Sequence, residues 1–396
     1  MNIQGFYDNN LYPARFGGAE RIFRLYRHLA RRAGVTVLSL LRSSERAPRS
    51  QTVDGIRIER RLPLYPTLVH YAERARLAPM HSVFEWHRRL GGRFGAFFKD
   101  PRAVYQFDSF LLTAWYDRVP RGALKVYQAV NVESDWHQEA LGRLRDPAAA
   151  ERSLREVERH AVEGADLILH VSQADAARLV SEFGARPERM LYVPNGFEPD
   201  RFTALDPDAR AALRQSLGLT PEQRVAVFTG SRMSHNLDAA RFIAHELAPA
   251  MSRVAPELRF LLIGDLPVGP IPANVRITGT VDQVPPYLLA ADVALNPVIS
   301  GSGTSLKMPE YLAAGLPVVT TEFGLRGFED LRPLVTVAER AETARALGAP
   351  VHFDRDSAAR ALLAYGWPRQ AERIALAYEA WFEDPVEAPS RWASIA

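Results

Sequence analysis

Short apolar and β-branched runs alternate along this chain with longer segments in which apolar residues recur every three or four positions. The short runs predict strands, and the longer segments predict amphipathic helices. The candidate strands form two series, namely 35–41, 56–60, 103–107, 125–130 and 166–171, followed by 224–230, 259–265, 275–280, 292–298 and 317–321. Because strands that alternate with helices form parallel sheets covered on both faces, each series predicts one doubly wound α/β domain.

The junction between the two series is predicted near 193–202, where proline, asparagine, glycine and acidic residues cluster. We therefore expect a Rossmann-like N-terminal domain over 1–198 and a second Rossmann-like domain over 199–369. With 396 residues, the chain is long enough to give each domain its own core.

Composition limits the class of protein. Hydrophobic residues make up 47% of the chain and charged residues 24%, as in soluble globular proteins. The net charge of +3 gives no reason to expect a nucleic-acid partner, and the lack of cysteine excludes disulfides and thiolate chemistry. The first residues lack the apolar segment of a signal peptide, and no apolar run reaches 18 residues, so we expect a cytoplasmic location.

Ligands of doubly wound sheets bind beyond the carboxyl ends of the strands, so the loops there are the candidate sites. The first such loop contains Gly17 and Gly18 just before a predicted helix, where paired glycines let the backbone approach a ligand. A plain turn before a helix explains this pair equally well. A second loop contains Gly230 and Arg232, and its guanidinium could bind a phosphate or simply face solvent.

The third loop, "GSGTSLKMPEYLAAG" at 301–315, has the most informative pattern. The amides expected to face an anion at the start of its helix are those of Gly301, Ser302, Gly303 and Thr304. Ser305 is a further candidate for binding the ligand. Lys307 lies one turn further on, followed by Glu310, whose carboxylate could accept hydrogen bonds from the two hydroxyls of a ribose. The alternative is a surface ion pair between Lys307 and Glu310. We favour a ligand site because the glycines, the lysine and the glutamate occur together.

At this point the chain resembles the GT-B glycosyltransferases, specifically the large retaining group known as family 4. Residues 301–321 resemble the nucleotide-sugar signature of that family, and "FGGAER" (16–21) resembles its N-terminal glycine loop. The segments "VNVES", "GADLILHVSQADA", "VPNGFEPDRF", "FTGSRMSHNLDAARFI" and "TGTVDQVPPYLLAADVALNPV" resemble further parts of both domains. The segment at 365–382 resembles the tail helices of the fold, so 370–396 is expected to pack back on the N-terminal domain.

The resemblance implies a nucleotide-sugar donor on the C-terminal domain and an acceptor on the N-terminal domain. It implies that Glu310 holds the ribose and that Lys307 and Arg232 neutralise the leaving group. The amides of Gly303 and Thr304 would bind the diphosphate. Fixed cations and helix-end amides stabilise a departing diphosphate without a metal, so no metal and no cofactor are expected.

The same resemblance implies that Gly17 and Gly18 approach the donor from the N-terminal domain. It also implies transfer with retention, in which the donor phosphate takes the acceptor proton. The expected acceptor is a glycan, a lipid-linked molecule or a small molecule.

The chain departs from the family pattern at several positions. Members often have two glutamates eight positions apart, and Ser302 stands where the first is expected; Val130 replaces a common histidine. Asn131 is the candidate to replace that histidine, with Glu133 and His137 as alternatives. These departures keep two other functions open, a catalytically silent binding subunit and a nucleotide-sugar 2-epimerase.

The usual arginine and lysine after the first C-terminal strand are also altered. Ser231 takes one place, Arg232 follows it, and His235 with Asn236 stands near the place of the lysine.

Two further patterns have ordinary explanations. The D-x-D motifs at 206–208 and 354–356 are expected to cap helices rather than bind metal. Residues 70–102 combine seven cations and three anions with five Phe and Trp side chains. This composition suits the inner membrane surface or an anionic, lipid-linked acceptor, and helices packed on the sheet with a solvated basic face are the alternative.

Overall fold

The computed structural model describes residues 1–14, 17–41, 47–61, 80–136, 146–301, 303–349 and 353–395. These residues divide into two compact units. Unit 1 comprises 1–194 and 368–396, and unit 2 comprises 195–367. The breaks therefore lie at 194/195 and 367/368, whereas the sequence analysis placed them at 198/199 and 369/370.

Unit 1 is built on an eight-stranded sheet with the order β3-β4-β2-β1-β5-β6-β7-β8. Its strands are β1 (Asn2–Tyr7), β2 (Gly34–Leu40), β3 (Ser50–Val53), β4 (Ile56–Arg61), β5 (Ala103–Phe107), β6 (Leu124–Ala129), β7 (Leu167–His170) and β8 (Met190–Tyr192). All neighbouring strands are parallel except β3 and β4. The sequence analysis missed three of these strands, namely the central strand β1, the polar edge strand β3 and the three-residue β8.

Within residues 1–194, the helices of unit 1 are α1 (Gly17–Leu29), α2 (Met80–Leu90), α3 (Glu133–Trp136), α4 (Pro147–Gly164) and α5 (Gln173–Phe183). Three 3-10 segments, Gly91–Phe97, Phe110–Arg118 and Pro187–Arg189, also occur in this part of the chain. Stacked aromatic side chains dominate the core on one face of the sheet. Phe6 lies 4.9 Å from both Phe98 and Phe107, measured between ring centroids, and Trp115 packs edge-on against Phe6.

Unit 2 contains a six-stranded sheet with the order β11-β10-β9-β12-β13-β14, in which all pairs are parallel. Its strands are β9 (Arg224–Thr229), β10 (Leu258–Ile263), β11 (Val275–Ile277), β12 (Val293–Asn296), β13 (Val318–Thr320) and β14 (Thr336–Val337). The side chains of β9 alternate between two cores, since Val225 and Val227 join one and Ala226 and Phe228 join the other. Both faces of this sheet are therefore covered, as the apolar runs predicted.

The helices of unit 2 are α6 (Pro207–Ser216), α7 (Ser234–Phe242), α8 (Ala248–Val254), α9 (Pro285–Leu289), α10 (Lys307–Ala313), α11 (Glu322–Leu325), α12 (Arg340–Gly348) and α13 (Arg355–Leu362). A π-helical segment, Ile243–Leu247, joins α7 to α8. Asp206 caps α6 through the amide of Asp208, and Asp354 caps α13 through the amides of Asp356 and Ser357. Both D-x-D motifs are thus helix starts.

Two helices end the chain, α14 (Trp367–Glu383) and α15 (Ala388–Ile395), and almost all of this tail belongs to unit 1. The Tyr378 hydroxyl donates a 2.6 Å hydrogen bond to Gln106 Oε1 on β5. The buried Trp392 side chain of α15 donates to the Ala377 carbonyl at 2.9 Å and stacks on Trp381. Among the helices of the described ranges, none has both the length and the apolar composition needed to cross a bilayer.

Candidate active site

The strand order of unit 2 reverses between β9 and β12, which are neighbours in the sheet but far apart in sequence. Such a reversal leaves a crevice at the carboxyl ends of the two strands, and this is where open α/β sheets bind ligands. The loop after β9 contains Gly230 and Arg232, and the loop after β12 contains the predicted glycine segment. The topology therefore brings two of the three predicted loops to one edge of one sheet.

The glycine loop between β12 and α10 is held in place by side chains from distant parts of unit 2. Gly301 and Gly303 have φ angles of 126° and 62°, in the left-handed region that favours glycine. Arg326 donates to the carbonyls of both glycines, and Asn195 Nδ2 donates to Thr304 O at 3.0 Å and to its hydroxyl at 2.8 Å. Ser302 lies outside the described residues.

Helix α10 is fixed to the end of β9. The amide of Thr229 donates a 2.9 Å hydrogen bond to the Tyr311 hydroxyl, and both side chains are buried. The Ser305 hydroxyl accepts a 3.3 Å hydrogen bond from the amide of Lys307, the first residue of α10. Tyr311 and Ser305 thereby set the position from which Lys307 and Glu310 project.

The Lys307 ammonium is the main cation of this edge. It donates one hydrogen bond, 2.9 Å long, to Asn236 Oδ1 and lies 5.5 Å from the centre of the Phe228 ring. Desolvation lowers the pKa of Lys307 to about 8, although the charge of Glu310 opposes this change. Within the described residues no carboxylate forms an ion pair with this ammonium. Two of its N–H donors are therefore available to an anion.

His235 lies within electrostatic range of both Lys307 and Arg326. Burial, together with the charges of these two residues, lowers the pKa of His235 to about 4. His235 is consequently neutral at pH 7. A Cβ added to Gly301 would lie 3.2 Å from the His235 ring, so the glycine loop packs closely against this imidazole.

Two other predicted residues have different surroundings. A Cβ on Gly230 would meet Asn236, Phe228 and Leu266 at 3.1–3.2 Å, so close packing against α7 already accounts for a glycine there. Arg232 has a side chain that is 68% exposed and forms a 2.5 Å ion pair with Asp265 at the end of β10. The structure thus directs the Arg232 guanidinium to a surface carboxylate.

In unit 1, Gly17 and Gly18 are the first two residues of α1, whereas the sequence analysis placed them in the loop just before it. Asn131 follows β6, and its side chain forms a hydrogen bond with the carboxyl group of Glu133. Burial raises the pKa of Glu133 well above its usual range, and the charges of Glu158 and Asp8 raise it further. His137 lies outside the described residues.

A buried polar network near the end of β5 was not predicted. The Asp108 carboxylate accepts hydrogen bonds from the Tyr26 hydroxyl at 2.6 Å and from Gln106 Nε2 at 2.7 Å. Burial raises the pKa of Asp108 to about 7. The fully buried Arg21 lies close enough to oppose this change, and it donates to the carbonyls of Val193 and Pro194.

Family models match both units. A model described as "Glycosyl transferase 4-like domain" matches residues 16–196, and one described as "Glycosyl transferases group 1" matches residues 223–349. The chain belongs to the GT-B glycosyltransferases of the family 4-like type. Among the described residues of this GT-B protein, no group of three histidine or carboxylate side chains is placed to hold a metal ion.

Relatives of this GT-B protein include two inositol-phosphate glycosyltransferases. The D-inositol 3-phosphate glycosyltransferase of Geodermatophilus obscurus is 30% identical over 262 residues, which cover 59% of this chain and 57% of the relative. D-inositol 3-phosphate glycosyltransferase 2 of Catenulispora acidiphila is 30% identical over 184 residues, covering 41% and 42%. The chain thus spans about half the length of the curated relatives it matches.

Solved structures resemble this GT-B protein over almost its whole length. The sucrose-phosphate synthase of Thermosynechococcus elongatus has a TM-score of 0.71 at 16% identity, covering 97% of this chain and 100% of the other. The Anabaena protein HepE, solved with UDP and glucose, has a TM-score of 0.63 at 16% identity, covering 96% and 100%. At this identity the likeness establishes the fold.

Proposed function

We propose that this protein transfers a sugar from a nucleoside-diphosphate sugar to an acceptor, with the donor bound at the carboxyl edge of the unit 2 sheet. The observation that carries the proposal is the Lys307 ammonium. It is desolvated, makes one hydrogen bond and stands at the reversal of strand order. Glu310 is the described carboxylate whose charge acts on this ammonium, but the two form no ion pair, and a phosphate group would supply one. The inositol-phosphate glycosyltransferases that the chain resembles, and the HepE complex with UDP, support this class of reaction.

In the proposed reaction the bond between the sugar and the diphosphate breaks, and negative charge develops on the leaving phosphate. Lys307 stabilises that charge because a cation in a water-poor site interacts more strongly than one in solvent. The amides of Gly303 and Thr304 are proposed to bind the diphosphate, and Glu310 is proposed to accept hydrogen bonds from the ribose. Arg232 can bind the diphosphate only if its ion pair with Asp265 breaks. We therefore propose that it contributes less to binding the leaving group than Lys307 does.

The finer features of the reaction remain proposals. We infer transfer with retention and without a metal, in which the donor phosphate accepts the acceptor proton. Unit 1 is proposed to bind the acceptor, with Asn131 as its candidate polar contact. The roles suggested for Gly17, Gly18, Gly230, Ser302 and Ser305 in binding the donor stay predictions.

The exposed face of α2 supports a proposal about where the protein acts. Val83, Phe84 and His87 are buried, whereas Trp86 is 46% exposed and Arg89 faces solvent beside it. An exposed tryptophan next to arginines is typical of surfaces that bind anionic lipid headgroups. We propose that this α2 face contacts an anionic membrane surface that presents the acceptor. Residues 70–79 of the predicted basic segment lie outside the described residues.

A turnover assay tests the function directly. UDP-, GDP-, ADP- and dTDP-glucose are each incubated with the wild-type protein and with Glu310→Ala, in the presence of lipid extract as the acceptor source, and nucleoside diphosphate release is measured. Release with one donor that requires the extract and is lost in Glu310→Ala is the expected result.

Two other outcomes correspond to the other functions kept open by the sequence. Conversion of the donor sugar to its 2-epimer without extract would indicate an epimerase. Donor binding without any turnover, across several acceptor extracts, would indicate a silent binding subunit and would contradict the transferase.

A further inference from the structure

Three side chains from two loops form a continuous hydrogen-bonded chain at the carboxyl edge of the unit 2 sheet. The Lys307 ammonium on α10 donates to Asn236 Oδ1 at 2.9 Å, and Asn236 Nδ2 donates to the Ser231 hydroxyl at 3.3 Å. Lys307 and Asn236 are 71 positions apart in sequence. Asn236 is buried in the first turn of α7, so its carboxamide has few alternative orientations.

The donors and acceptors of these two hydrogen bonds fix the orientation of each of the three side chains. An ammonium can only donate, so the oxygen of the Asn236 carboxamide must face Lys307 and its nitrogen must face away. The Ser231 hydroxyl accepts from that nitrogen, which opposes rotation of the carboxamide. Lys307 has a long side chain that could adopt many rotamers, and this contact selects one of them.

The chemistry of the partner matters as much as its position. A carboxylate at position 236 would form an ion pair with the ammonium and neutralise it. An apolar residue there would offer no hydrogen-bond acceptor and would not fix the position of the ammonium. A carboxamide accepts the hydrogen bond and carries no charge, so the positive charge remains for a ligand. The neighbouring His235 is neutral at pH 7 and adds no competing charge.

We propose that Asn236 is a positioning residue, oriented by Ser231, that aims the Lys307 ammonium at the diphosphate of the donor. The inference rests on the proposed function, because it takes the diphosphate as the ligand of this edge.

The test uses the full-length protein, with UDP, GDP and ADP as probes. The dissociation constant and the proton uptake on binding are measured calorimetrically between pH 7 and 9, in two buffers of different ionisation enthalpy. Because the pKa of Lys307 lies at about 8, an anion that raises it must draw a proton from the buffer. Lys307→Met is expected to lose this uptake and to bind about tenfold to a hundredfold more weakly.

The variants at 236 should shift the pH profile of proton uptake in opposite directions. In Asn236→Ala the lysine loses a hydrogen bond to its charged form, so its pKa falls and the uptake moves to lower pH. In Asn236→Asp the pKa rises and the uptake disappears near pH 8. Both variants should bind the probe about tenfold more weakly than the wild type. A residue that only supports the fold would not produce opposite shifts.

Thermal unfolding of each variant without ligand shows whether it folds. Ser231→Ala is a milder variant, which should shift the pH profile of proton uptake in the same direction as Asn236→Ala. If the wild type binds a probe and Asn236→Ala matches it in affinity and proton uptake, the positioning role is overturned and the proposed function stands. If the wild type binds none of the three probes, both are overturned.

Discussion

Replacing Lys307 by methionine should stabilise the ligand-free protein and weaken its binding of nucleotides. The fold lowers the pKa of this lysine from 10.5 to about 8, a difference that corresponds to a cost of about 3 kcal/mol for keeping it charged at pH 7. Methionine has a similar length and removes this cost. The Asn236 oxygen then loses its donor, which costs about 1 to 2 kcal/mol. The cost of the buried charge is larger than the cost of the lost hydrogen bond. We therefore expect the free energy of unfolding of Lys307→Met at pH 7 to exceed that of the wild type by about 1 to 2 kcal/mol.

The pH dependence of this effect has a defined sign. Between pH 8 and pH 10.5, the unfolded chain keeps a proton on Lys307 that the folded chain has released. The stability contribution of the lysine therefore rises with pH in this window, and Lys307→Met lacks that rise. The advantage of the variant should accordingly be largest below pH 8 and shrink towards pH 10.

The assay is urea unfolding of the wild type and Lys307→Met at pH 7.0 and 9.5, together with calorimetric titration of UDP, GDP and ADP at pH 7.0. The exposed Lys99 provides a matched control, because Lys99→Met removes the same charge without a desolvated ammonium. A Lys307→Met protein that is less stable than the wild type at pH 7.0 and binds nucleotides equally well would refute the reasoning.

Three further predictions address other parts of the molecule. Glu310→Ala should weaken UDP, GDP or ADP binding at least tenfold and leave pyrophosphate binding unchanged, because pyrophosphate has no ribose; equal losses for both ligands, measured calorimetrically, would contradict the assigned role. Arg89→Ala with Trp86→Ala should weaken binding to vesicles of 30% phosphatidylserine at least fivefold in a sedimentation assay, since roughly 1 kcal/mol per surface arginine corresponds to about fivefold. The exposed Arg345→Ala should leave this binding unchanged, and equal sedimentation of the two variants would count against the membrane proposal. The raised pKa of Asp108, about 7, stabilises the folded wild type fully below pH 4, and this stabilisation is lost as the pH rises to 7. The free energy of unfolding of Asp108→Asn, relative to that of the wild type, should therefore be higher at pH 7 than at pH 5. Identical pH dependence of urea unfolding in the two proteins would contradict this.

Local patterns in the sequence were sufficient to predict the strand, the loop and the helix that carry the candidate donor site. The apolar runs located most of the long strands, and the glycine loop, α10 and the capping aspartates follow from residues adjacent in sequence. The six-residue strand β1, "NIQGFY", was missed because polar and small residues interrupt its apolar positions. The short strands β8 and β14 were missed because two or three residues give no periodicity.

Contacts between distant segments could not be predicted in the same way. Arg326 holds the glycine loop from 23 and 25 positions away, and Asn195 reaches Thr304 from 109 positions away. Nothing in the local sequence marks either side chain, because each contact depends on how the strands are ordered in the sheet. The same holds for the ion pair of Arg232 with Asp265 at the end of the neighbouring strand, while the phosphate role of Arg232 stays a prediction. Burial, which sets the pKa of Lys307 and of Asp108, likewise follows only from the packed structure.

The central claim is that the carboxyl edge of unit 2 binds a nucleoside-diphosphate sugar. A thermal-shift panel of UDP-, GDP-, ADP- and dTDP-sugars on the wild type and Glu310→Ala tests it most directly. Ligand at a hundredfold excess over its dissociation constant should stabilise the folded protein by about 2.7 kcal/mol. The account predicts a shift with one nucleotide class that is lost in Glu310→Ala. No shift with any of the four, or an equal shift in both proteins, would contradict it.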